Sequence, residues 1–215
     1  MKILLHLILL TFLINSCKTK TGNDVLIVPT DSATLYFPLF DSAKAVKMYG
    51  SAWEDTATKM WNSEELFDFR EPVLYNYIGN IEVYRFTWVR SFAYPVCLRL
   101  QKQDDSIFLF SKINDGYAYT RGKVIVNEKK DITRKEWNTF KSFLKEMNYW
   151  KLDEDAVGPG WTDASSWILE GVSGKKYHWV SRDDPDHLNR YPNFTKTCKY
   201  LMSLSGIDFE KKLIK

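Results

Sequence analysis

The chain has 215 residues, enough for one domain or at most two small ones. Its 30 Lys and Arg residues against 27 Asp and Glu residues give a formal net charge of +3, and the basic residues are spread along the chain. Because nucleic-acid-binding proteins concentrate basic residues in a patch or stripe, we expect no nucleic-acid partner. Aromatic residues make up 15% of the chain and predict a substantial core, since aromatic side chains bury large areas.

Residues 1–16 have the composition of a secretory signal peptide. A positively charged start at Met1 and Lys2 precedes an apolar run from Ile3 to Ile14, which is the pattern of an export signal. A membrane-spanning helix needs about 20 apolar residues, and this run is shorter. We therefore predict a cleaved signal rather than a membrane span.

The predicted signal ends at a cysteine. Ile14, Asn15, Ser16 and Cys17 together resemble the lipobox of bacterial lipoproteins, in which an aliphatic, a variable and a small residue precede cysteine. The resemblance implies cleavage before Cys17, attachment of diacylglycerol to its thiol, and acylation, for example with palmitate, of the new amino terminus. Two or three acyl chains anchor a protein firmly, because each buried methylene adds about 0.8 kcal/mol. The alternative is an ordinary signal peptide followed by a coincidental cysteine.

The residues after Cys17 predict a location. Residues 17–24 form the lipidated anchor and a polar linker of the kind that stays disordered. Lys18, rather than an aspartate, is similar to the pattern of lipoproteins released to the outer membrane. We expect a protein that is lipid-anchored to a bacterial membrane and faces the periplasm or the cell surface, with the outer membrane favoured.

Residues 25–215 predict a single domain, since no repeat, low-complexity tract or long linker divides them. A first helix is predicted from about Asp41 to Trp61, where Gly50 could split it. Four strands are predicted next, with Asp104 and Asp105 at a hairpin tip. The helix has an apolar stripe at steps of three and four residues, formed by Val46, Tyr49, Trp53, Ala57 and Met60. The strands cover residues 81–89, 95–101, 106–113 and 123–127.

The second half of the domain contains two predicted helices and a hairpin. Thr133 and Glu136 have the spacing of a capping box at the start of the first of these helices. Strands 166–172 and 176–182 are joined at Ser173 and Gly174. The last helix runs from about residue 194 to 204, with Asn193 as its cap and Gly206 at its end. We therefore predict an α+β domain: a mainly antiparallel sheet of about six strands with about three helices packed on one face.

No strong catalytic motif is present. The chain lacks the nucleophile elbow, the phosphate-binding glycine loop and the zinc helix, and we expect no cofactor. The densest ionisable stretch lies between residues 177 and 187, where His178 and Arg182 share one face of a strand. Glu170, across the hairpin, could lie beside either one. A Glu170–His178 pair could transfer protons near neutral pH, and the favoured alternative is a structural strand pair.

Two further groups could bind a ligand or a cation. Arg85 and Arg90 flank Trp88 in one strand; with Arg182 they are the candidate ligand-binding residues. An internal bridge from one of these arginines to Glu170 is the favoured alternative to an acidic ligand. The acidic group that ends in His187 lacks the ligand spacing of a calcium loop, so we expect a solvated loop and no metal. This group consists of Asp183, Asp184, Asp186 and His187.

Two cysteines remain after Cys17. An oxidising compartment would permit a disulfide between Cys97 and Cys198. Each is set in an apolar pattern, and free cysteine behaves as a small apolar residue. The sequence therefore favours two separate buried thiols.

Three segments, in this order and spacing, resemble an uncharacterised family of small bacterial proteins, some of them predicted lipoproteins. The segments are YRFTWVRSF at 84–92, WILEGV at 167–172 followed by 176–178, and YLMSLSG at 200–206. The pattern departs from the family at residues 162–166, and over 181–185 only Arg182 and Pro185 match. The resemblance covers about Trp53 to Gly206 and implies a shared fold without an assigned activity.

These observations favour a membrane-anchored envelope lipoprotein whose domain binds an envelope protein or a small ligand, rather than an enzyme. The first alternative is a hydrolase-like enzyme, which requires Glu170 and His178 to meet within about 3.2 Å in an open cleft. The second is a structural envelope protein, which predicts a large exposed aromatic patch and no concave pocket.

Overall fold

A computed structural model describes residues 25–116, 120–155 and 165–209. The predicted signal peptide, Cys17 and the linker lie outside the described residues. The strands are β1 Glu82–Val89, β2 Val96–Gln103, β3 Ser106–Asn114, β4 Val124–Asp131, β5 Ser166–Ser173 and β6 Lys176–Asp183. They form one antiparallel sheet in the order β4-β3-β2-β1-β5-β6. The predicted α+β fold with a six-stranded antiparallel sheet is confirmed.

Four helices accompany this sheet in the described part of the chain: α1 Ser42–Tyr49, α2 Ala52–Asp68, α3 Arg134–Glu146 and α4 Pro192–Ser205. The count exceeds the expected three because the first predicted helix divides. Gly50 ends α1 with φ 89°, a left-handed conformation that glycine adopts readily. The Ser51 side chain then accepts a hydrogen bond from the Glu54 amide and begins α2.

Both faces of the sheet are covered, so the expectation of helices on one face is wrong. The α3 and α4 side holds the main core, which includes Tyr84, Leu98 and Leu109. The opposite face, which we call the α2 face, packs against residues 25–40, α2 and residues 69–81. Strand β1 is therefore buried on both sides, and polar side chains on the α2 face have to find partners inside the protein.

Helix α2 presents to the protein interior the side opposite to the predicted one. Trp53 is 75% exposed, whereas Asp55 and Lys59 are each 1% exposed. Both stripes recur with helical period, so periodicity alone does not decide which one is buried. Hydrogen bonds decide: Asp55 Oδ2 accepts from the Phe40 amide at 2.9 Å, and Ser63 Oγ accepts from the Tyr36 amide at 2.9 Å. The buried polar side of α2 thus satisfies the backbone of the segment before α1.

The helix ends follow local rules with one exception. The capping box at Thr133 and Glu136 is confirmed, with both reciprocal hydrogen bonds present. Gly206 ends α4 with φ 73°, as predicted. Asn193 is not the cap of α4. Pro192 occupies the first helical position, which suits its fixed φ and missing amide, and Tyr191 takes the cap position without a side-chain hydrogen bond.

The two cysteines are separate buried thiols, as the sequence favours. Cys97 packs on the α2 face, whereas Cys198 packs in the core on the other side of the sheet. Burial raises the pKa of the Cys97 thiol to about 12, and it also raises the pKa of Cys198. Neither thiol is therefore reactive at neutral pH.

Candidate functional site

Arg85 and Glu170 form the buried centre of the α2 face. They are cross-strand partners on β1 and β5, and Arg85 Nε and Nη2 lie 2.7 and 2.6 Å from Glu170 Oε2. Arg85 Nη1 donates to the Pro72 carbonyl at 2.6 Å, and the Tyr177 hydroxyl donates to Glu170 Oε1 at 3.1 Å. The predicted internal arginine–carboxylate bridge is confirmed, and Arg85 is not exposed to a ligand.

Glu71 extends this ion pair into a network. Its Oε2 lies 2.7 Å from Arg99 Nε and 3.8 Å from Arg85 Nη1, and its Oε1 lies 2.7 Å from Lys112 Nζ. Burial opposes the charge of Glu71, but Arg99, Lys112 and Arg85 hold its pKa below the usual value. The network joins β1, β2 and β3 to the segment after α2. We assign it a structural role, since all its carboxylates are matched by cations.

Glu71, Arg99 and Lys112 were not among the predicted site residues. A signal for Arg99 exists in the strand pattern, because it lies between Leu98 and Leu100 in the apolar first half of β2. A charged residue at such a position needs a buried counter-ion. Glu71 lies in a loop and carries no comparable signal.

The predicted pair of Glu170 and His178 does not form. Glu170 lies opposite Trp179, and His178 lies opposite Gly171, so the two side chains are on different faces of the sheet. The His178 ring packs 5.1 Å from Tyr149 and 6.3 Å from Trp150. The hydrolase alternative therefore loses its geometric basis.

Arg182 shares the face of His178, as predicted, but is held by the protein. Its Nη1 donates to the Ser181 carbonyl at 2.6 Å and its Nη2 donates to the Asp153 carbonyl at 2.9 Å. Its guanidinium lies 5.2 Å from the centre of the Tyr191 ring. Arg182 thus fastens β6 to the loops at its end, and it does not lie beside Glu170.

The acidic residues after β6 make separate contacts. Asp184 Oδ1 accepts from the Ser165 amide and hydroxyl, Asp183 Oδ1 accepts from the Ser166 hydroxyl, and Asp186 pairs with Lys199. Within residues 25–116, 120–155 and 165–209, no three His, Cys, Asp or Glu side chains are grouped as metal ligands.

Lys59 is a buried amine that sequence reasoning also missed. Its Nζ lies 3.2 Å from Asp55 Oδ1 and 3.0 Å from the Tyr49 hydroxyl. The ring centroids of Phe40, Tyr49 and Trp179 lie 4.4, 4.9 and 4.1 Å from the same nitrogen. Burial lowers the pKa of Lys59, against the opposing effect of Asp55. Because Lys59 is only 1% exposed, it links α1, α2 and β6 and is closed to a substrate.

A cleft of about 280 Å³ lies where the ends of β1 and β5 meet the C-terminal part of α4. Its walls combine indole rings, an apolar floor and a polar rim. The Trp88 and Trp167 rings are tilted against each other with centroids 5.2 Å apart. The apolar lining residues are Trp88, Trp167, Met202, Ile207 and Phe209, and the polar ones are Asp186, Lys199, Ser203 and Asp208.

Both indole N–H groups of this cleft are buried. Nε1 of Trp88 and Nε1 of Trp167 have no hydrogen-bond partner among the residues that the structure describes. Buried polar groups in proteins are nearly always hydrogen-bonded, so two orphan donors on adjacent strands are unusual. Because neither nitrogen is accessible to solvent, a ligand in the cleft contacts the faces and edges of the two rings, and not these N–H groups.

The remaining contacts of the cleft support its shape. The Arg90 guanidinium stacks 4.1 Å from the centre of the Trp88 ring and holds that indole in place. Lys199 and Asp186 form a half-exposed ion pair at the rim, with Nζ and Oδ2 3.3 Å apart. Of the predicted ligand-binding candidates, Trp88 lines the cleft and Arg90 supports it, whereas Arg85 and Arg182 lie elsewhere.

No protein-family model matches the chain, and no curated protein is significantly similar to it. The resemblance to an uncharacterised bacterial family therefore stays a prediction. The lipobox lies outside the described residues and stays a prediction as well. In the part of the chain that is described, no helix combines the length and apolar character needed to cross a membrane.

Proposed function

We propose that this chain is a lipid-anchored envelope protein whose domain binds a small ligand in the cleft that Trp88 and Trp167 line. The observation that carries the proposal is the cleft itself, which Trp88, Trp167 and Phe209 line beside the Lys199–Asp186 ion pair. The cleft volume of about 280 Å³ is close to the lower end of ligand pockets, roughly 300–1,000 Å³. The alternative of a structural envelope protein predicts no concave pocket, and the cleft counts against it.

The chemistry of the lining limits the class of ligand. Two indole rings with Met202 and Phe209 favour a flat, apolar or aromatic body. Lys199 at the rim favours a carboxylate, once its contact with Asp186 opens.

Ligand-observed NMR with a library of aromatic acids and amides tests the binding proposal. Ser203→Trp places a large side chain at the exposed lining residue of α4 and should abolish the binding of hits. Ser142→Trp on α3 is a matched control, because both serines are exposed helical residues whose hydroxyl donates to a backbone carbonyl three residues earlier at 2.7 Å. Hits that survive Ser203→Trp, or a screen without hits, would contradict the proposal.

Mass spectrometry of the mature amino terminus tests the anchor. The spectrum should show a chain that begins at Cys17 and carries diacylglycerol, and Cys17→Ser should abolish both cleavage at this position and acylation. A mature chain with an unmodified cysteine would show that the cysteine is coincidental.

A further inference from the structure

The large exposed apolar side chains are concentrated in one layer of the domain. Of the twelve that occur in the described residues, ten lie between residues 25 and 78. This stretch covers the α2 face of the sheet, whereas α3 and α4 on the other face contribute none of the twelve. Single exposed apolar residues are normal in proteins, but their concentration marks an interaction surface.

The outward side of α2 is the clearest part of this surface. Trp53 is 75% exposed, and Met60 and Trp61 are about half exposed. Positions seven and eight residues after Trp53 lie on the same side of a helix as Trp53. The opposite side carries the buried Asp55 and Lys59. A rotation of the helix that turned Trp53 inward would therefore break the buried contacts of these two side chains. Val46 on α1 is 55% exposed and adds to the same layer.

We propose that this outward side of α1 and α2 rests on the surface of the bilayer that holds the lipid anchor. The proposal rests on the proposed acylation of Cys17. Seven residues, 18–24, separate Cys17 from Val25, the first described residue. An extended chain spans at most about 3.6 Å per residue, or about 29 Å over the eight steps from Cys17 to Val25. Val25, where this layer begins, therefore lies within about 29 Å of the anchor.

The composition of the surface fits a lipid headgroup region. Tryptophan is enriched where membranes meet water, since its ring is apolar and its N–H is polar. The exposed charged residues of the two helices are Lys47, Glu54 and Glu64, whose charges sum to −1. Attraction to anionic lipids therefore contributes little, and insertion of Trp53 and Met60 provides the binding. We expect contact with the bilayer to be insensitive to the anionic lipid content.

The test uses the full lipidated protein in vesicles of phosphatidylcholine, with and without phosphatidylglycerol. Trp53→Cys and Met60→Cys each receive an NBD label, and Ile125→Cys on the β4 edge, 51% exposed, is the matched control. Cys97 and Cys198 are buried and stay unlabelled. Dithionite added outside the vesicles should reduce the labels at 53 and 60 several-fold more slowly than the label at 125, equally in both lipid mixtures.

Each outcome of this experiment is decisive. If mass spectrometry finds Cys17 without acyl chains, the anchor and the membrane surface are both overturned. If Cys17 is acylated but the labels at 53 and 60 react as fast as the label at 125, the anchor stands and the membrane surface is overturned. The exposed layer would then serve a protein partner. Thermal midpoints equal to that of the wild type establish that the three variants are folded.

Discussion

Arg85 and Glu170 neutralise each other inside the sheet, with Arg85 Nε 2.7 Å from Glu170 Oε2 and no exposure of either side chain. Removing two ions from water costs several kcal/mol for each, so a buried pair is stable only when its geometry is good and its remaining hydrogen bonds are satisfied. Here Pro72 and Tyr177 supply those hydrogen bonds. The ion pair therefore has a structural role, and breaking it should lower the stability of the protein.

Glu170→Gln should lower the free energy of unfolding by about 3–5 kcal/mol, because it leaves Arg85 buried with an unmatched charge. Urea denaturation followed by far-ultraviolet circular dichroism measures the change. The control is Glu146→Gln, which breaks the half-exposed pair with Lys196 and should cost less than about 1 kcal/mol. A Glu170→Gln variant as stable as this control would show that the buried pair contributes little.

Local sequence signals predicted much of the fold correctly. The capping box at Thr133, the glycine at the end of α4 and the tight turns between strands each depend on a few neighbouring residues. Side chains alternate between the two faces of a sheet, so the predicted strand 81–89 places Tyr84 and Phe86 on one face, and Val83 and Thr87 on the other, as the structure has them. These features are determined within the segment itself, so a single sequence contains the information.

Features that depend on distant partners were not predictable. The orientation of α2 follows from hydrogen bonds to residues 36–40, and both sides of this helix have the same period. The partner of Glu170 depends on strand register. The turn consists of Gly174 and Lys175, so Glu170 faces Trp179, and a shift of one residue moves a side chain to the other face. The cleft likewise forms only where residues near 88, 167 and 203 meet in the fold. These positions are far apart in the sequence, so no local pattern predicts that they meet.

Gly171→Ala should destabilise the protein by about 1–3 kcal/mol through overpacking. A Cβ at this position would lie 2.9 Å from ring atoms of Tyr84 and 2.9 Å from a ring atom of Tyr149. The Tyr149 ring cannot move freely, because its hydroxyl donates to the His178 carbonyl at 2.8 Å. Urea denaturation should show a lower midpoint with an unchanged slope. An unchanged midpoint would mean that the rings of Tyr84 and Tyr149 move aside without a loss of stability.

His178 should make the protein less stable in mild acid. Burial lowers the pKa of His178 below its ordinary value, despite the opposing effect of Glu154. Between the lowered pKa and the ordinary one, the unfolded chain binds more protons than the folded protein. The contribution of neutral His178 to the free energy of unfolding is therefore fully present above about pH 6.5, and it is lost as the pH falls through the folded pKa. Urea denaturation at a series of pH values measures the effect. As the pH falls below about 6.5, the free energy of unfolding should decrease less for His178→Gln than for the wild type. Parallel curves for the two proteins would contradict the assignment.

Glu65 should have the opposite pH dependence. Burial, with smaller contributions from Asp68 and Glu64, raises the pKa of Glu65 from 4.5 to about 7. The folded protein therefore binds more protons than the unfolded chain between these values, and stability falls as the pH rises from about 4.5 through about 7. A shift of this size corresponds to at most about 3 kcal/mol.

Glu65→Gln removes this titration. The variant should be more stable than the wild type by about 1–3 kcal/mol above pH 7, and the difference should vanish near pH 4, where the carboxyl is protonated in both states. The neighbouring Glu64 is exposed, so Glu64→Gln is a matched control that should change stability by no more than about 0.5 kcal/mol at either pH. Urea denaturation of the wild type and the two variants across this pH range measures both effects. If Glu64→Gln raised the free energy of unfolding as much as Glu65→Gln, the net charge, and not the burial of Glu65, would be the cause.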